Sequence, residues 1–247
     1  MSDLDITKIP QIMDKNNWPV GAALMRKWFS GKSNNIPAAG TPSLTDVKMD
    51  WLLSYSRAKS VYDGILSEKI WINEEAKKEI IQMLKRKSLL SNTERSFGTP
   101  KIPLPNVDRD YIQFRPVGGI LDMAFGDMDD LRAALANFVF RIVVIGKVVP
   151  TLNDRRLPTG EYRVTISEVG IYARDSYDFI DEAGDDQPLG NWDFDDDSVG
   201  RTFLNGGVDV HNSDFRVWRA KNNKGGDFLV YSDIRYTRTN DSFTFRK

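Results

Sequence analysis

The feature that most constrains this chain is a change of hydrophobic period partway along it. Through most of the first half, apolar residues recur at roughly the 3.6-residue spacing of a helix face. In the second half they alternate along runs rich in β-branched and aromatic residues, as strands require. In "WPVGAALMRKWF", Pro19 suits a first helical turn, and Val20, Leu24, Met25, Trp28 and Phe29 make one apolar stripe. "GKSNNIPAAGTP" reads as a loop by composition. Ser43 and Asp46 match a capping box, which predicts a long helix from there to about Ile70 with Val47, Trp51, Tyr55, Tyr62, Ile65 and Leu66 on one face. Asn73 caps a further helix, "EEAKKEIIQMLKRKSLL", whose acidic start and basic end suit the helix dipole.

Residues 96–117 carry Pro100, Pro103, Pro105 and Pro116 without any period and read as an irregular connector. A short helix, "DMDDLRAALANF", follows, with Asp127 as its cap and Leu131, Ala134, Leu135 and Phe138 facing inward. "FVFRIVVIGKVV" then reads as a well-buried strand. In "GEYRVTISEVGIYA" the apolar set is first Tyr162, Val164 and Ile166, then Val169, Ile171 and Ala173. That change of phase predicts a bulge near Ser167 or Glu168. "DFRVWRA" and "DFLVYSDIRY" read as strands joined by a "KNNKGG" turn, and "TNDS" turns a last pair ending in "FTFRK". Helices first and strands second predict an α+β fold. Its helical N-terminal part (1–115) would pack on a C-terminal antiparallel, barrel-like β-sheet (116–247) around one shared core.

Composition narrows the function classes. The chain has 247 residues, net charge −1 and no cysteine. The first of these allows a substantial core. The second offers no global attraction to nucleic acid or an anionic membrane, and the third removes disulfide and thiolate chemistry. "MSDLDITKIP" is not a secretory leader, and the most apolar run holds Arg141 and Lys147 and is too short to span a bilayer. The expectation is a protein made in the bacterial cytoplasm and, if exported, exported without a signal peptide.

Several motifs can be set aside. "GKS" at 31–33 is not a phosphate loop, because position 26, where that motif needs its first glycine, is arginine. His211 is the single histidine, lies in "DVHNSD" with no Gly-x-Ser-x-Gly elbow anywhere in the chain, and reads as a loop residue. From Asp178 to Asp197 there are nine acids and no lysine or arginine, while the chain from Arg201 onward has nine basic and five acidic residues. The acidic run therefore reads as solvated or paired with that basic end. The residues that carry candidate chemistry are Asp175, Tyr177 and Asp178. On a strand, the first two share a face and place a carboxylate beside a phenol. Asp175 and Asp178 are candidate ligands for Mg²⁺ or a split acid and base, against the alternative of a strand exit whose aspartates serve its turn. Arg216 and Arg219, flanking Trp218, are candidate substrate-binding residues for a phosphate.

Two resemblances bear on these residues. Asp175-Ser176-Tyr177-Asp178 resembles the start of the signature of colicin M-type toxins, which are Mg²⁺-dependent and hydrolyse the lipid II peptidoglycan precursor. The His-Arg pair that follows in those toxins is replaced here by "FIDEAGDDQ". Over most of its length the chain resembles an uncharacterised bacterial family whose members are often encoded near type VI secretion genes. That resemblance rests on "NNWPVGAALMRKWF", "SRAKSVYDGIL", "GDMDDLRAALANF", "DSYDF…QPLGNWDF" and "GGDFLVYSD". It implies interbacterial competition, with a secretion spike or a cognate immunity protein as partner. Two expectations follow: an antibacterial effector performing metal-assisted phosphoester hydrolysis in the target envelope, or a non-catalytic adaptor, cargo or immunity-like binding protein.

Overall fold

A computed structural model describes residues 5–99, 104–118, 128–181, 186–200 and 207–247. The fold is α+β, as the change of period predicts. Along the chain the helices are α1 (Ile9–Lys15), α2 (Pro19–Ser30), α3 (Met49–Leu52), α4 (Ser56–Glu68), α5 (Glu74–Arg86), α6 (Leu104–Val107), α7 (Asp130–Leu135) and α8 (Asn212–Asn222). The strands are β1 (Ser43–Val47), β2 (Arg95–Phe97), β3 (Gln113–Val117), β4 (Phe138–Leu152), β5 (Pro158–Tyr177), β6 (Pro188–Asp193), β7 (Ser198–Gly200), β8 (Val208–His211), β9 (Phe228–Ser232) and β10 (Arg235–Arg246).

The chain forms two compact units, each assembled from three segments. One comprises the described parts of Met1–Tyr55, Gly118–Phe138 and Arg174–Ser232; the other comprises those of Ser56–Val117, Val139–Ala173 and Asp233–Lys247. In the first unit β9 lies between β1 and the end of β5. It is antiparallel to β5, with Arg174 opposite Tyr231 and Tyr177 opposite Phe228, and parallel to β1. A separate antiparallel sheet has the order β7-β6-β8. In the second unit β5 has β10 on one side and β4 on the other, and β4 also pairs β2 and β3.

The strong local signals hold. Pro19 begins α2, and Asn73 caps α5 by accepting from the Ala76 amide at 2.8 Å. The N-terminus of α2 is satisfied from elsewhere in the chain. Buried Asp130 accepts from the Val20 and Gly21 amides at 3.2 and 2.7 Å, at the positively polarised end of the helix. Burial raises the Asp130 carboxyl, and those two amides oppose the rise. Gly21 is needed where α2 meets α7, since a Cβ there would lie 2.9 Å from the Ala133 Cβ.

Five local readings are corrected. Ser43 and Asp46 do not open a helix. The Ser43 hydroxyl donates to the Asp46 carboxylate at 2.5 Å, and the segment is β1, with buried Ser43 and Val47 docked on β9. The helical stretch behind it is broken into α3 and α4. The 96–117 connector contains α6 and β3, and Pro116 is exposed on β3, which among the described residues pairs with β4 alone, an edge position that tolerates proline. Pro100 and Pro103 lie outside the described residues, as does Asp127. The cap of α7 is Asp129, which accepts from the Arg132 amide at 2.9 Å. "DFRVWRA" is helical: α8 buries Phe215 and leaves Val217 67% exposed, so their alternation is not a strand pattern. "TNDS" is not a turn, because β10 runs straight through it. The change of phase in β5 does coincide with a register shift. Glu168 pairs Arg238 and Ile166 pairs Asp241, so the extra residue lies on β10 opposite Ser167.

Asp130→Ala removes the acceptor for two amides at a buried helix end. The expected loss is about 1–3 kcal/mol of stability, read as a lowered melting temperature, with Asp130→Asn intermediate.

Candidate functional site

Asp175 and Tyr177 lie on the last turn of the pleat of β5, and their placement follows from β9. Tyr177 is buried. Its ring stacks on Phe228, opposite it on β9, at 5.2 Å between centroids and 12° between planes, and its hydroxyl donates to the Met25 sulfur on α2 at 3.6 Å. Phe179 closes on Tyr177 edge-on and stacks at 3.8 Å on Phe215 of α8. Burial, and then the Asp175 charge, push the Tyr177 phenol above its ordinary range. Burial likewise holds the Asp175 carboxyl well above the usual carboxylate range. The Asp178 charge adds to that rise, against the Ser176 amide and Arg174. Asp178 stands just past the strand and accepts from the Ile180 amide at 3.2 Å, as an aspartate serving a turn does.

This arrangement does not suit Mg²⁺. Burial that disfavours an ionised Asp175 also weakens it as a ligand for a hard cation, which prefers ionised oxygens. Among the described residues no three His, Cys, Asp or Glu side chains come together to hold a metal ion.

The arginines lie on α8, not on a strand. Arg216 donates to the Phe179 carbonyl at 2.8 Å and pairs with Asp181 at 2.7 Å and Asp186 at 3.5 Å. Asp181 also accepts from the Gln187 amide at 3.1 Å and the Asn212 side chain at 2.7 Å. The Gln187 amide first, then Asn212 and Arg216, hold the Asp181 carboxyl below its ordinary range, and Ser213 does the same for Asp186. The acidic run thus pairs in part with the basic end, as its charge suggested; Glu182 and Asp185 lie outside the described residues. Trp218 packs edge-on to Phe29 at 4.8 Å. His211 is not a loop residue. It ends β8 and caps α8, its amide donating to Asp214 at 2.8 Å.

Arg219 pairs with Asp227, a residue the sequence reading did not single out. Asp227 has no exposed surface and the Arg219 side chain is 11% exposed. The Trp28 indole donates to the same carboxylate at 2.8 Å, and Asn34 brackets the Asp227 backbone, its side chain donating to the carbonyl at 2.7 Å and its own carbonyl accepting from the amide at 3.0 Å. Burial raises the Asp227 carboxyl; Trp28 and Arg219 oppose this and Asp178 adds to it. The local signal for this corner was the pair Gly225–Gly226, read only as a turn. Gly225 has φ +90°, and a Cβ on it would lie 2.5 Å from the Trp28 ring.

Ser33, Asn35, Ile180, Asp181, Arg216 and Arg219 lie around an open hollow of about 740 Å³. Both guanidinium groups are already matched by carboxylates, so the hollow has no spare positive charge to hold a phosphate.

A family profile described as a family of unknown function (DUF6402) matches residues 4–202 and 201–246. No curated protein and no solved structure matches the chain.

Arg219→Met strands a buried carboxylate and is expected to cost about 3–5 kcal/mol. Arg219→Met with Asp227→Asn loses less, which denaturant titration of both variants measures. The Asp181 pKa is lowered by folding, so its contribution is complete above about pH 4 and is lost as pH falls through the folded value. The melting-temperature gap between wild type and Asp181→Asn is therefore expected to shrink from about pH 6 to about pH 3.

Proposed function

The chain belongs to the DUF6402 family, whose function is unknown, and on that premise we propose that it acts by binding, as a non-catalytic adaptor, cargo or immunity-like partner of a bacterial secretion system. The observation that carries this reading is the condition of the Asp175–Tyr177 margin. A general base must be ionised and within reach of the proton it takes. Burial disfavours the ionised form of Asp175, and the Tyr177 hydroxyl is spent on a methionine sulfur inside a stack of rings. The hydrolase alternative also asks Arg216 and Arg219 to hold a phosphate, whereas Asp181, Asp186 and Asp227 already neutralise them.

The surface beside the hollow has the make-up of a protein-docking face. Exposed Ile180 lines the hollow with Arg216, which two carboxylates hold in place, and Ile36 and Val217 are further exposed aliphatic side chains of the same unit. Burial of such aliphatic groups supplies affinity, and a pre-positioned arginine supplies specificity at little ordering cost. Among the described residues no helix is long and apolar enough to cross a membrane. Association with type VI secretion is supported by the sequence resemblance alone.

The test is expression in a bacterial host, in the cytoplasm and separately with a periplasmic leader, together with co-expression beside the spike and small proteins encoded next to its gene. The expected outcome is no loss of viability in either compartment and a stable complex with one neighbour that Ile180→Asp with Val217→Asp disrupts. Killing confined to the periplasm, and abolished by Asp175→Ala or Asp178→Ala in a folded protein, would overturn the binding reading in favour of hydrolysis.

A further inference from the structure

The second unit carries a different surface, which does not depend on the partner proposed above. An open hollow of about 460 Å³ lies between the outer face of α5 and the segment leading into β3. That volume is within the roughly 300–1,000 Å³ typical of small-molecule sites. Its walls include Glu79 and Gln82 from α5, with Arg109, Tyr111, Gln113 and Phe114 opposite. Tyr111 is 38% and Phe114 50% exposed, an unusual state for two large rings so close in sequence.

Tyr111 is held by an arrangement that its own packing does not require. The Arg141 guanidinium lies over one face of its ring, 4.1 Å from the centroid. Arg141 is fixed in turn by two bonds to Asp108, at 2.7 and 2.8 Å, and the Tyr172 hydroxyl donates to Asp108 at 2.6 Å. A largely buried chain of three polar side chains thus orients one aromatic ring that is 38% exposed and borders the hollow. A ring already ordered loses little conformational entropy when something stacks on it.

We propose that this hollow binds a neutral glycan, with a pyranose ring stacked on the Tyr111 ring and against Phe114. The C–H face of a pyranose is flat and apolar and suits an aromatic ring, while its hydroxyls each need a donor and an acceptor. Gln82 supplies both, Glu79 accepts and Arg109 donates, while the Gln113 side chain is turned to the Phe114 amide at 3.0 Å and to Glu75 at 3.4 Å. Charges of both signs line the walls, which gives no general attraction for nucleic acid or another polyanion. The mixed polar lining also differs from the apolar groove that a peptide helix would require. Arg141 acts as a positioning residue through Tyr111.

The test is saturation-transfer NMR on the full chain with chitotriose and cellotriose. The expected result is transfer to the sugar ring protons with a dissociation constant on the order of millimolar, weakened at least about tenfold by Tyr111→Ala and by Phe114→Ala. Both sites are on the surface, so the variants are expected to melt with the wild type. Arg141→Lys keeps a cation for the Asp108 carboxylate but not the flat group over Tyr111, so it is expected to weaken binding in folded protein, whereas lysine would replace a purely structural arginine without that loss. Gln82→Ala, on the exposed face of α5, weakens binding without touching either ring. The proposal is overturned if folded protein gives no transfer from either sugar at about 10 mM, if transfer persists unchanged in Tyr111→Ala, or if a peptide binds this face and neither sugar does.

Discussion

A carboxylate with no exposed surface is the constraint on which the candidate site depends. Taking Asp227 out of water is unfavourable unless its oxygens are met by donors and its charge by a cation. The Trp28 indole and the Arg219 guanidinium both meet Oδ1, leaving Oδ2 buried without a hydrogen-bond partner, and Asn34 pairs with the Asp227 backbone. These partners come from α2, from the loop after it and from α8, so pairing this one residue fixes three separated segments of one unit. Gly225 completes the corner by letting the backbone approach the Trp28 ring. Phe228 follows directly and begins β9, so the position of this corner sets where β9 meets β5.

That register decides what the end of β5 can do chemically. With Tyr177 opposite Phe228, the tyrosine ring is stacked between strands and its hydroxyl turned to Met25. The carboxyl of Asp175 shares this poorly solvated margin and resists ionisation. Two residues that look like a reacting pair on paper thus become a packed tyrosine and a carboxyl that resists ionisation. The same corner withdraws Arg219 from the surface, and the paired Asp181 and Asp186 occupy Arg216. What remains at the hollow is exposed Ile180 beside an arginine fixed by carboxylates, a surface that fits the proposed binding role.

The sequence was legible where structure is decided locally. Pro19 and Asn73 mark helix starts through backbone chemistry that needs no tertiary partner. The β-branched run of β4 and the change of phase in β5 likewise report burial directly. Failures came where two local signals share one pattern. Ser43 and Asp46 have cap spacing, yet their side chains bond each other at the start of a strand. Phe215 and Val217 alternate, yet the helix buries one and exposes the other. The site was the least legible part. The four-residue motif around Tyr177 was visible, but its solvation depends on Met25, Phe228 and Phe215, and the importance of Asp227 depends on Trp28, which is 199 residues distant in sequence. No local pattern encodes such partners.

The central claim is that the Asp175 carboxyl, at a crowded strand end, resists ionisation. It is tested most directly by following the Asp175 side-chain carboxyl carbon by NMR through a pH titration of the folded protein. The account predicts that this carbon keeps the shift of the protonated acid well above about pH 4, where solvated aspartates have ionised. An ordinary titration at or below about pH 4 would contradict it and restore an open, charged pair capable of hydrolytic chemistry.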